Sequence, residues 1–172
     1  MATSDGNGTL QTASTTFSVS GMTGSVNGVS ITFNSWSLGG DQNPGDFYFE
    51  LVSPDGKRFD FFGNFNGGCA VMTSTTNITF ADNGSQLTQG CTADNQGTIT
   101  LTSGTYLPDV DNAANGGLDG ISECPSPDGN STPPTCAPNE GAADGSSTDT
   151  FASVFNGAQA NGTWTVYSES DF

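Results

Sequence analysis

Phe47-Tyr48-Phe49-Glu50-Leu51-Val52-Ser53-Pro54-Asp55-Gly56-Lys57-Arg58-Phe59-Asp60-Phe61-Phe62 is the stretch on which the fold turns. Phe47, Phe49 and Leu51 share one face of an extended run, as do Phe59 and Phe61, and alternation of this kind is the signature of half-buried strands. Between the runs, Pro54 presets φ, Asp55 caps, and Gly56 takes the positive φ that other residues resist. The sixteen residues therefore predict a β-hairpin.

Working outward, the same periodicity recurs in short pieces. Thr15 to Ser20 alternates and is rich in β-branched residues; Val29, Ile31 and Phe33 share a face and lead to Trp36 and Leu38. Gly39 to Gly45 breaks that run. Ile78 with Phe80, Ile99 with Leu101, and Thr163 to Tyr167 mark further strands, while Phe151, Val154 and Phe155 at i, i+3 and i+4 predict one or two helical turns. About seven short strands with almost no helix read as an all-β antiparallel sandwich or jelly roll. Trp36, Trp164 and the Phe stripe are assigned to its core. Asp109 to Asp149 is a long Gly, Pro, Asn and Asp stretch that predicts a functional or disulfide-tied insertion.

Composition narrows the function. The chain has 172 residues, Lys+Arg 2, Asp+Glu 18 and His 0, a formal net charge of -16. One domain is expected at this length. A chain this acidic has no basic stripe for phosphate backbones, so no nucleic-acid partner is expected, and no apolar run approaches the ~20 residues of a membrane span. Without histidine, Ser/His/Asp and Cys/His centres and mixed Cys/His zinc sites are excluded. No spacing singles out a carboxylate pair for glycosidase chemistry, so the chain is expected not to be an enzyme. Cys69, Cys91, Cys124 and Cys136 form no C-x-x-C pair, and the expectation is two disulfides in an oxidising, secreted or cell-surface setting. The local pairs Cys69 with Cys91 and Cys124 with Cys136 are favoured among three connectivities, each pinning a long loop. Met1 to Asp5 has neither a basic nor an apolar leader region, which predicts a leader already removed.

Two acidic loops are candidate cation sites. Asp109-Val110-Asp111-Asn112 to Asp119 gathers oxygen donors on a Gly-rich loop, and calcium takes 6 to 8 such ligands. Asp41 and Asp46 flank the second. Solvated acidic loops and turn carboxylates are the competing readings. Lys57 and Arg58 are assigned to the hairpin edge as surface ion-pair partners of small energetic weight.

Several segments together resemble a known family. Thr16-Phe17-Ser18-Val19-Ser20-Gly21, Val29 to Phe33, Asp46 to Gly56, Gly104-Thr105-Tyr106-Leu107-Pro108 and Phe155-Asn156-Gly157 through Gly162-Thr163-Trp164-Thr165-Val166 are similar, in order and spacing, to the proprotein convertase P domain. The resemblance runs from about residue 15 to the end. It implies a jelly-roll sandwich, a non-catalytic module found beside subtilisin-like proteases or within bacterial surface and secreted proteins, and frequent calcium binding. It also raises Asp46 as a site residue. Two departures stand out. The family's histidine before the conserved Asp is replaced by Gly39 to Gly45, and the family's closing strand has no counterpart before Phe172.

A jelly roll short of one strand exposes an edge that another chain can pair with. Residues 1–14 are read as an arm or donor strand and 15–172 as the jelly roll, because Asp5-Gly6-Asn7-Gly8-Thr9-Leu10 faintly resembles the absent strand. The arm closes its own fold, or it inserts into a neighbouring copy and builds a fibre; a chain end that falls short of the last strand is the plain alternative. Three functions follow as expectations: a calcium-stabilised, self-assembling secreted structural module, an accessory domain for a protease of the parent chain, or a carbohydrate-binding module.

Overall fold

A computed structural model describes residues 11–37, 47–63, 70–71, 75–86, 99–110 and 149–170. In chain order the elements are β1 (Gln11–Val19), β2 (Ser30–Trp36), β3 (Phe47–Val52), β4 (Arg58–Gly63), β5 (Ala70–Val71), β6 (Thr76–Ser85), β7 (Ile99–Thr100), β8 (Gly104–Tyr106), β9 (Asp109–Val110), α1 (Phe151–Phe155) and β10 (Gly162–Ser170). The expected all-β class is present. A five-stranded sheet runs β1-β10-β3-β4-β9, a three-stranded sheet runs β2-β6-β8, and β5 pairs with β7.

The hairpin sits at the centre. β3 and β4 pair antiparallel around a turn in which Ser53 N donates to the Lys57 carbonyl (2.9 Å) and Gly56 N to the Ser53 carbonyl (3.0 Å), with Gly56 at φ 84°. The register shifts after Phe49: Glu50 pairs with Asp60 but Phe49 with Phe62, leaving Phe61 as an extra residue. A bulge of this kind puts two successive side chains toward one side. Phe61 and Phe62 are consequently both buried, and both rings pack on Phe80 at 5.4 and 5.2 Å.

Rings join the sheets. Phe33 of β2 lies 4.8 Å from Phe49 of β3, and Trp36 lies 5.6 Å from Phe62, so the three-stranded sheet covers the inner face of the five-stranded one. α1 closes one end, with Phe151 5.1 Å from Phe59 and Phe155 5.4 Å from Trp164. Its first turn is held twice. Thr150 Oγ1 accepts from Ser153 N (3.0 Å), and the Asp82 carboxylate accepts from Phe151 N (2.9 Å) and Ala152 N (2.8 Å), satisfying amides that have no partner within a helix.

The sheets are not wholly antiparallel as expected. β9 lies parallel to β4, β8 to β6, and β7 to β5. Parallel neighbours need connections of a dozen or more residues, and the chain between β4 and β9 and between β6 and β8 is long enough. β1 also starts earlier than the Thr15 expected, so the boundary drawn after residue 14 falls inside a strand.

Candidate assembly surface

β1 forms an unbroken nine-pair ladder with β10, from Gln11 opposite Ser170 to Val19 opposite Gly162. Directly opposed residues lie on one face of a sheet. Thr15 and Phe17 oppose Val166 and Trp164, whose side chains are buried, so the odd-numbered residues of β1 face inward. Yet nothing described closes over them. Thr15 is exposed and Phe17 retains 43% exposure. Across the opening, Ile31 and Phe33 of β2 are only half-buried.

The opening is an apolar seam. At one end a cavity of about 370 Å³ is lined by Phe17, Val19, Met22, Val26, Ile31 and Trp164. Next to it a second, of about 340 Å³, is lined by Thr15, Phe17, Thr32, Phe33, Phe49 and Val166. Phe17 stands between them. Beyond Val19 the chain crosses to β2 through Gly21 and Gly24, both at positive φ, and Asn161 clips that crossing: its Oδ1 accepts from Met22 N (2.9 Å) and its Nδ2 donates to the Met22 carbonyl (2.8 Å). Met22 is 57% exposed. Among the described residues, Phe17 and Met22 are the large hydrophobic side chains left in solvent.

Electrostatics sets this seam apart. No Asp, Glu, Lys or Arg occurs between Asp5 and Asp41, so β1, the crossing and β2 are uncharged in a chain of net charge -16. The two edges nevertheless differ. β2 carries a register shift between Phe33 and Trp36, where Ser35 sits at φ 57° with its N–H donated to Asn77 Oδ1 (2.8 Å). β1 has no bulge, no proline and no charge, and among the described residues β10 is its sole ladder partner. Natural sheets blunt their edges with those devices; β1 has none of them.

The cations lie elsewhere. Lys57 Nζ donates to the Asn156 carbonyl (3.1 Å), and Arg58 reaches Glu50 Oε2 through Nη2 (2.7 Å) and Nε (3.1 Å). The surface ion pair expected here is in fact largely internal, because Glu50 is fully buried and Arg58 has 21% of its side chain exposed. At the turn, Ser53 Oγ donates to Asp55 Oδ1 (2.6 Å) and Gln159 N to Asp55 Oδ2 (3.3 Å). The Ser53 hydroxyl is the main reason the Asp55 carboxyl titrates below its ordinary value.

Of the expected metal and disulfide residues, Asp109 alone lies among the described ones. Asp109 opens β9 with its backbone opposite Phe62. Asp41, Asp46, Asp111 and Asp119, and Cys69, Cys91, Cys124 and Cys136, lie outside the described residues, as does the arm before Gln11. Among the described residues no three acidic or cysteine side chains gather as a metal site, and no helix is long and apolar enough to cross a membrane. Trp36 and Trp164 are 1% and 6% exposed, so neither ring offers a platform for a sugar. The seam itself was missed in the sequence, although the charge-free run between Asp5 and Asp41 was its signal. Compared with protein-family models, curated proteins and solved structures, the chain matches none.

Proposed function

We propose that this chain is a non-catalytic, secreted structural module of the jelly-roll type, whose copies associate by donating the N-terminal strand. One observation carries the reading: among the described residues β1 rests on β10 alone, with its inward side chains still open. The same nine-pair ladder can form on the β10 of a neighbouring copy, with the Gly21 to Gly28 crossing as the hinge, which is the low-cost route of strand exchange. The ordered resemblance to the P domain supports the jelly-roll topology. Calcium bound by Asp109, Asp111 and Asp119, or at Asp41 and Asp46, would lower the mutual repulsion of acidic copies.

Thr16 and Thr165 are register partners, and partnered Cα atoms fall within disulfide reach. The double variant Thr16→Cys/Thr165→Cys therefore reports where β1 lies. Exchange gives disulfide-linked ladders on a non-reducing gel, with the bond between those two positions confirmed by peptide mapping, and a chelator thins the ladders before oxidation. A bond formed solely within single chains at every concentration refutes donation. It would leave the accessory module beside a protease domain, which the resemblance of Asp46 to Gly56 to the P domain favours as the second reading.

A further inference from the structure

We infer that the outer edge of β1 is a two-fold contact with a second copy of this chain, each β1 pairing antiparallel with the other about Thr15. The contact goes beyond strand donation and does not depend on it. Among the described residues β1 has one edge on β10 and no strand on the other, and that second edge is the same whether the β10 belongs to its own chain or to a neighbour.

The occupant follows from self-complementarity. A two-fold axis normal to the sheet pairs residues whose numbers sum to a constant, and the sum of the Thr15 pair uses all nine residues of Gln11–Val19. In that register Ala13 stands opposite Phe17 of the second copy, and Phe17 opposite the second copy's Ala13. The exposed ring meets the smallest side chain of the strand, twice. On the other face Ser14 stands opposite Thr16, hydroxyl against hydroxyl, a pairing that stabilises antiparallel strands. Thr15 meets its own copy at the axis.

Charge selects the same partner. Every approach that brings acidic faces together is repelled, and the run between Asp5 and Asp41 is the longest uncharged stretch of the chain. A cationic partner would be drawn to the acidic faces instead, whereas a copy can meet this edge without opposing charges. The inner faces of the two β1 strands then lie on the same side of one continuous sheet, joining the two apolar seams at the Phe17 rings.

The test uses the full chain. Sedimentation velocity over a concentration series should show a dimer, and Thr15→Lys and Thr15→Glu, each placing like charges against each other at the axis, should weaken it by about tenfold or more. The two substitutions change net charge in opposite directions, so a shared loss is not a net-charge effect. Mixing them in equal amounts should restore a heterodimer near native affinity, because that mixture sets opposite charges at the axis. Native-like near-ultraviolet circular dichroism from Trp36 and Trp164 shows that each variant is folded. If either is not, Thr15→Cys carries the test, since mild oxidation should link two copies through residue 15 of each. A native chain that stays monomeric, variants that dimerise as the native chain does, a mixture that is not restored, or a Thr15→Cys variant that does not cross-link overturns the two-fold contact. Donation is read separately by the Thr16 and Thr165 pair, so either proposal can fail alone.

Discussion

Phe17→Ala separates what the ring does for its own chain from what it does between chains. The side chain is 43% exposed, so a little over half of it is already covered by the seam. Full burial of a Phe side chain is worth about 1.5–3 kcal/mol, which puts the share within one chain at about 1–2 kcal/mol. In a domain of this size that lowers Tm by about 2–8 °C. The remaining exposed share is about 1 kcal/mol per ring, and a two-fold contact covers two rings, so the dimer should lose about 1–2 kcal/mol, or about five- to thirtyfold in Kd. Differential scanning fluorimetry reads the first quantity and sedimentation velocity the second. A fall in Tm with an unchanged dimer Kd would show that the ring serves its own seam alone, and the register about Thr15 would be wrong.

Arg58→Met tests the internal ion pair: it leaves the Glu50 carboxylate buried without its guanidinium, at a cost of about 3–5 kcal/mol. The double variant Glu50→Gln/Arg58→Met should recover most of the loss in chemical denaturation, and a single variant as stable as the native chain would remove the pair from the account. Asp55 gives a pH dependence of definite sign. Its carboxyl is held below its ordinary value in the folded chain, so the unfolded chain binds the proton first as pH falls. The stabilisation is full above that value and is lost as pH drops through the lower folded value. The stability gap between the native chain and Ser53→Ala should accordingly be constant from neutral pH to about pH 5 and narrow below the unfolded carboxylate range to the share of the bond that Lys57 N donates to the same hydroxyl (3.0 Å); a gap that widens with acid contradicts the hydroxyl as its cause.

Local signals with a period survived into the structure. The hairpin through Pro54-Asp55-Gly56 was legible because alternating Phe residues and a turn with fixed φ requirements agree. So was α1, whose Phe151, Val154 and Phe155 are the buried ones. Period-2 counting failed at Phe62, which it places outside, because the bulge at Phe61 is set by pairing across strands. Nor does alternation locate Glu50, because β3 is buried on both faces. Gln11 to Ser14 have no apolar alternation to announce a strand, and their pairing is dictated by β10. The acidic loops dominated the sequence reading because carboxylates are conspicuous. The seam is defined by what is lacking there, charge and cover, and cover exists only in three dimensions.

The division of labour within the chain then has a physical logic. Aromatic rings from β2, β3, β4 and β6 lock the two sheets together, so the sandwich does not need the seam side to be closed. Charge is kept out of everything between Asp5 and Asp41. Two such molecules repel through most orientations, over a Debye length of about 8 Å at physiological ionic strength and about 30 Å in dilute salt. An approach through β1 brings uncharged edges into contact. In the proposed contact repulsion would act as an orienting device, with backbone pairing and the Phe17 rings supplying the adhesion. Screening favours such a contact, in contrast to one built from ion pairs, which salt weakens; the acidity of the chain and the bareness of β1 are two parts of one arrangement.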